Sequence, residues 1–461
     1  VQEEQELSVA DARQPRGESA DRAALMLRPH YVLVAFPVLP VRRIRNQVVE
    51  ALPRVPIARE GAAIRDVVGV TARRVLHEEV RLRDCPCLGV HLLPEEVEGE
   101  IYSTKLALVQ FWMFLVGGAT AIVGYLFRWH DGREFLEQPF LIKVAIVVVV
   151  LMFIFNMIMT MIKGRRRTSI SIVLLIGFLG LAVFYLFAFY KPDNMTVDKY
   201  YWWFVVHLWV EGVWELIMAA FLSFLLIKLT GIDREVAEKW LYVIVGLTFL
   251  TGVVGTGHHY YWIGTPAFWQ TWGAWFSAIE VLPFAAMVAF SFKMVSKRTR
   301  QHPNRAAVLW TIGAAVLSFL GAGVWGFMHT LPQINFYTHG TQITASHGHL
   351  AFYGAYAVIV LAMASYAVPN LRKSTGIITH QKQEIFAFWT MAVSMVFIAL
   401  ALTGAGIVQV YLQRVIGMSY METQGYMSLF YVIRLFFGVT FAIGLVVYLY
   451  DFFIGKSKSA A

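Results

Sequence analysis

From Lys105 onward the chain is a succession of apolar runs, each long enough to cross a bilayer, and that narrows the possible folds sharply. A hydrocarbon core about 30 Å thick needs about 20 helical residues at 1.5 Å each. Ten such runs are legible, at about 105–127, 140–162, 169–190, 201–229, 239–263, 269–295, 306–331, 344–368, 384–412 and 425–453. Each predicts a transmembrane helix. The fold class that follows is an all-α polytopic membrane protein. Composition agrees: charged residues are only 15% of the chain, against about 25% in soluble domains. A soluble globular protein, a disordered chain and a nucleic-acid binder are all excluded.

The short connectors alternate in charge. Lys163–Arg167 (KGRRR), Lys228–Lys239, Lys293–Arg305, Arg372–Lys382 and the pair Lys456/Lys458 are basic, and all of them fall on one side. Basic loops stay in the cytoplasm, so that side is predicted to be cytoplasmic and the connectors near 130, 195, 266, 337 and 418 periplasmic. The net charge of +9 is first of all this loop charge. Cys85 and Cys87 are too few and too close for a disulfide framework.

Residues 1–100 do not match the rest. They hold fourteen arginines and no lysine, while the other 361 residues hold thirteen lysines and twelve arginines. No stretch there is long enough to span a membrane. The domain division is therefore an anomalous Arg-rich segment, 1–100, and a transmembrane helical domain, 101–461. The first segment reads either as a basic cytoplasmic extension or as the product of a shifted reading frame in a GC-rich gene.

Charge inside a bilayer is expensive, so polar residues within the spans are functional candidates. His207 and Glu211 share a helix face four residues apart, and Glu215 extends that stripe; a buried His–Glu pair is the bland alternative. His258 and His259 are adjacent and point about 100° apart on an α-helix, so they share a metal only if it lies between them. His347 and His349 point about 200° apart; they suit two different groups on opposite sides of one helix, with Ala345, Ser346 and Gly348 leaving room for a flat cofactor. Taken singly, these histidines could also be interfacial or packing residues. Depth counts against that. With Glu280 they all fall in about the outer 5–17 Å of one leaflet. A transporter would spread polar groups through the whole depth. His329 and His339 lie nearer a connector, and His302 and His380 lie in basic connectors.

Three histidines and a carboxylate form a mixed nitrogen and oxygen donor set that favours iron over cuprous copper. An early His followed by an acid, a His–His pair and a later His-x-His resemble the haem–copper oxidase superfamily. The oxidases carry a His-Pro-Glu-Val-Tyr type motif where this chain has HLWVEGVWE, without the proline and with Glu211 in the fourth place after the histidine. That pattern resembles the catalytic large (cytochrome b) subunit of cytochrome c-dependent nitric oxide reductases. GREFLEQP, KPDN, TGIDREVAEKWLY, GTGHHYYWIG, SAIEVLPF, GAGVWGFMHT and THGTQITASHGHLAFYGAY carry the likeness across about residues 92–455.

The resemblance implies a twelve-helix bundle, although ten helices are legible. It implies that His207, His258, His259 and Glu211 bind a non-haem iron, that His347 holds a high-spin haem b and His349 a low-spin haem b, and that Glu280 and Glu215 carry protons. It also implies a calcium ion at Glu134. The expected reaction, a step of denitrification, is reduction of two nitric oxide molecules to nitrous oxide and water. Electrons would come from a membrane-anchored cytochrome c subunit on the periplasmic face of a bacterial inner membrane, and protons from the same side. An oxygen-reducing haem–copper terminal oxidase is the competing expectation. One departure stands out. The second axial histidine of the low-spin haem should fall near Arg73, and the nearest, His77, sits in a hydrophilic context and is not assigned.

Overall fold

The structure, a computed structural model, describes residues 88–298, 302–372 and 381–454. The segment before Leu88, with His77, Cys85 and Cys87, and also His380, lies outside the described residues. Among those described, ten helices are long and apolar enough to cross a membrane. They are α1 (Thr104–Leu126), α2 (Phe140–Lys163), α3 (Ser169–Phe189), α4 (Met195–Thr230), α5 (Arg234–Tyr260), α6 (Ala267–Ser296), α7 (Arg305–Thr330), α8 (Gln342–Asn370), α9 (Gln381–Ile416) and α10 (Tyr420–Asp451). Each coincides with a predicted span. Several start earlier than hydropathy suggests, because a helix is capped in polar sequence before it meets the apolar run.

The caps are legible in chemical terms. Ser103, Thr168, Asn194, Asp233, Asn304, Thr341 and Ser419 each accept a backbone N–H of the helix that follows. In a bilayer no water replaces such a partner, so the cap must come from the chain. α4 and α9 stop at Gly231 and Gly417, whose φ values of 68° and 82° suit a residue without Cβ.

The bundle is organised around α4. Every residue from Glu215 to Leu226 is buried, as expected of a helix apolar on all sides. α1 and α10 are peripheral and turn large apolar faces outward. A short helix, Leu88–Glu96, precedes α1. Leu92, Leu93 and Val97 are fully buried in the main core, and Glu96 is buried with Arg234 and Thr168 as partners. Among the described residues, the core therefore takes in side chains from Leu92 onward.

At the other end the 127–139 connector folds over the bundle. Arg133 bonds Asp198 and the carbonyls of Ala188 and Tyr190, while Asp131 takes both Lys143 and Lys191. Leu136, Tyr185, Trp202 and Val205 form a second small core beneath it.

Candidate functional site

Four helices leave their regular geometry around one cavity. α4 widens into a π-helical turn at Leu208–Val213, α7 at Phe319–Trp325 and α8 at Tyr353–Ala357, while α5 tightens into a 3₁₀ turn at Thr256–Tyr260. Such turns re-aim side chains and occur often at functional sites. The turn in α4 carries Glu211, and that in α5 carries His258 and His259.

The result is a cluster. His207, Glu211, His258 and His259 each offer a ligand atom, and these atoms all lie within 4.8 Å of one another. His207 Nδ1 is 3.2 Å from Glu211 Oε2; His258 Nε2 and His259 Nε2 are each 4.0 Å from a Glu211 oxygen. The rings of His258 and His259 are 4.0 Å apart, so the tight turn brings the adjacent pair to one side.

Neighbouring groups set which nitrogen of each ring faces inward. His207 Nε2–H donates to Gly252 O at 2.7 Å, leaving the buried Nδ1 without a hydrogen-bond partner. Ser277 Oγ donates to Gly255 O at 2.8 Å, so it accepts from His258 Nδ1–H at 2.6 Å and leaves Nε2 bare. Trp203 stacks on His259 at 4.1 Å and 7°, holding that ring. Three nitrogen lone pairs and a carboxylate thus converge. First-row metals bind such donors at about 2.0–2.2 Å, so four of them on one ion stand about 3.4 Å apart. The donor types fit a metal, and side-chain movement of about an ångström would close the cluster on one ion.

The cluster opens on a cavity of about 340 Å³. His347 faces it from α8, with Nδ1–H donated to Gly321 O at 2.9 Å and Nε2 directed away from that carbonyl. Gly326 of α7 lies against that ring, where an added Cβ would stand 3.3 Å from Cε1. His349 does not line the cavity; its Nδ1 bonds Ala345 O of its own helix at 2.8 Å. The two histidines therefore serve different sides of α8. The cavity is long enough to reach from the cluster to His347 and predominantly apolar, as a flat macrocycle requires.

Glu280 and Glu215 also line it. Each is buried with Oε1 unpartnered, and Thr248 donates to Glu215 Oε2 at 2.9 Å. Glu134 stands at the rim, on the folded connector, with an exposed side chain. His339, in the 331–341 connector, lines the rim too; burial and the Arg414 guanidinium push its imidazole below the ordinary histidine range.

Sequence reasoning missed several partners. Ser277, Trp203, Gly252, Gly255 and Gly321 orient the histidines, yet none carries a ligand atom that would draw notice. His329, expected near a connector, is buried in the cavity wall and stacks on His347 at 5.1 Å. For Gly255 and Gly321 the signal is the density of small residues in GTG and GAGVWG.

Comparisons with known proteins identify the family. Residues 86–440 match the family described as Cytochrome C and Quinol oxidase polypeptide I. A nitric oxide reductase subunit from Stutzerimonas stutzeri is 55% identical over 382 residues, covering 78% of this chain and 80% of that protein. A heme-copper terminal oxidase dimer solved by cryo-EM shares the fold, with a TM-score of 0.62 and 17% identity over 79% of this chain and 71% of that one. Ten membrane helices around a His–Glu cluster, with these matches, mean that the chain is a membrane oxidoreductase belonging to the cytochrome c and quinol oxidase polypeptide I family, the haem–copper oxidases.

Proposed function

We propose that the chain is the catalytic large subunit of a nitric oxide reductase, catalysing 2 NO + 2 electrons + 2 protons to N₂O and water. The observation that carries this reading is Glu211. A carboxylate among three imidazoles makes a harder donor set than histidines alone, and iron suits it better than cuprous copper. The identity to the Stutzerimonas stutzeri nitric oxide reductase chain supports the same assignment.

His207, His258, His259 and Glu211 would hold a non-haem iron, His347 a high-spin haem b and His349 a low-spin haem b. When bound, these groups supply electrons to two small diatomic molecules held in one dry pocket. The chain's own residues do the rest. Gly252 and Ser277 keep His207 and His258 in one tautomer, and Trp203 holds the orientation of the His259 ring. Phe284, Phe327, Phe352 and Trp214 keep the cavity apolar and exclude water. Glu280 and Glu215 hold protons on carboxyl oxygens facing that cavity. Glu134, at the rim, would take a calcium ion.

The positive-inside rule puts the basic connectors in the cytoplasm of a bacterial inner membrane and the cavity rim toward the periplasm. Electrons from a membrane-anchored cytochrome c subunit, and protons, would enter from that side. Metal analysis with a haem assay on the purified chain, separated from any cytochrome c subunit, tests the reading, together with N₂O release from nitric oxide by the complex. Three irons, two b haems, no copper and N₂O formation are expected. One copper per chain with oxygen consumption would reassign the protein to the terminal oxidases.

A further inference from the structure

We propose that the basic end of the bundle carries a binding site for an anionic phospholipid, with the headgroup phosphate held between Arg298 and Arg305. A second cavity, of about 380 Å³, lies there between the end of α4, the last turn of α6 and the first turn of α7. Leu229, Val295 and Val308 give it apolar walls; Arg298, Arg305 and His302 give it a basic rim. Among the described residues no carboxylate lines it.

The contrast with neighbouring basic residues identifies the ligand's charge. At the same end of the bundle Lys228 pairs with Glu95, and Arg234 with Glu96 and Glu238. Among the described residues neither Arg298 nor Arg305 forms an ion pair. Two uncompensated guanidiniums facing one concavity match a phosphodiester, whose oxygens accept from planar N–H forks. The walls decide between a free anion and a lipid. Val295 and Val308 stand at the ends of membrane-crossing helices, so an acyl chain leaving the headgroup would run along them into the bilayer. The site lies at the end of the bundle opposite the His–Glu cluster, and the inference does not depend on the reaction assigned there.

The test uses the haem-loaded complex, delipidated in neutral detergent. Thermal midpoint and lipid retention in native mass spectrometry are followed on adding phosphatidylglycerol, phosphatidylcholine or inorganic phosphate. Phosphatidylglycerol is expected to bind and raise the midpoint, and the other two are not. Replacing both arginines, Arg298→Gln with Arg305→Gln, should weaken phosphatidylglycerol about thirtyfold, given the usual contribution of two basic residues to an anionic lipid. Val308→Phe, which fills the cavity and keeps both charges, should also weaken it, and an unchanged haem spectrum shows that each variant is folded. Equal effects of the two lipids, or undiminished binding in both variants, would overturn the site. A shift reproduced by inorganic phosphate would overturn the lipid and leave a free-anion site.

Discussion

Glu211 and Ser277 act on the same cluster in different ways, and substitutions separate them. On the proposed assignment Glu211 offers a ligand oxygen, so Glu211→Ala should lose or strongly weaken the proposed non-haem iron while the haem content stays; iron-to-haem ratio measures this. Ser277 offers no ligand atom. It accepts from His258 Nδ1–H because its own hydroxyl is committed to Gly255 O. Ser277→Ala frees the tautomer, and loss of such an outer partner typically costs about ten- to hundredfold in metal affinity. Competition with a chelator should show that weakening with the haem spectrum unchanged. His349 stands apart from the cavity, so His349→Ala should remove the low-spin haem spectrum first and leave the His347 site; an intact low-spin band would refute its assignment.

At the scale of helices, the approach of α4 to α5 sets the site. Gly252 makes it possible: an added Cβ would lie 3.0 Å from Glu211 O and 3.1 Å from Gly212 Cα. Gly252→Ala should push the helices apart, stretch the His207–Gly252 bond and cost about 1–3 kcal/mol of stability. Gly246, on the same helix, meets nothing within 4 Å. Gly246→Ala should be neutral or stabilising by up to about 1 kcal/mol, since alanine is the better helix former. Thermal unfolding of the two variants in detergent compares them directly. The π-helical turn in α4 was not legible in HLWVEGVWE, because nothing in those residue types distinguishes a wide turn from a regular one. The i,i+4 reading still placed His207 beside Glu211, 3.2 Å apart, because four residues bring the chain nearly once around the axis in the wider turn as well.

For the whole molecule, the short helix before α1 fastens separate parts of the bundle. Glu96 is 1% exposed, accepts from Thr168 Oγ1 at 2.6 Å and pairs with Arg234 at the start of α5. Glu96→Ala would leave the half-buried Arg234 guanidinium with Glu238 alone, at 3.6 Å, and remove the acceptor of Thr168 Oγ1, at a cost of about 1–3 kcal/mol. A lowered thermal midpoint with unchanged metal content is the expected outcome.

Hydrophobicity and charge order settled the ten helices, because a bilayer leaves an apolar run of some 20 residues no other way to bond its backbone. The chain alone also nominated His207, Glu211, His258, His259 and His347, since ionisable groups in such runs are costly enough to be few. What it did not determine was their convergence. Which nitrogen of His207, His258 and His347 faces inward depends on carbonyls and a hydroxyl supplied by other helices: Gly252 and Gly321, and Ser277. That His347 faces the cavity while His349 does not depends on how α7 and α8 pack. Those contacts join residues far apart in sequence, and only the packed bundle brings them within bonding distance.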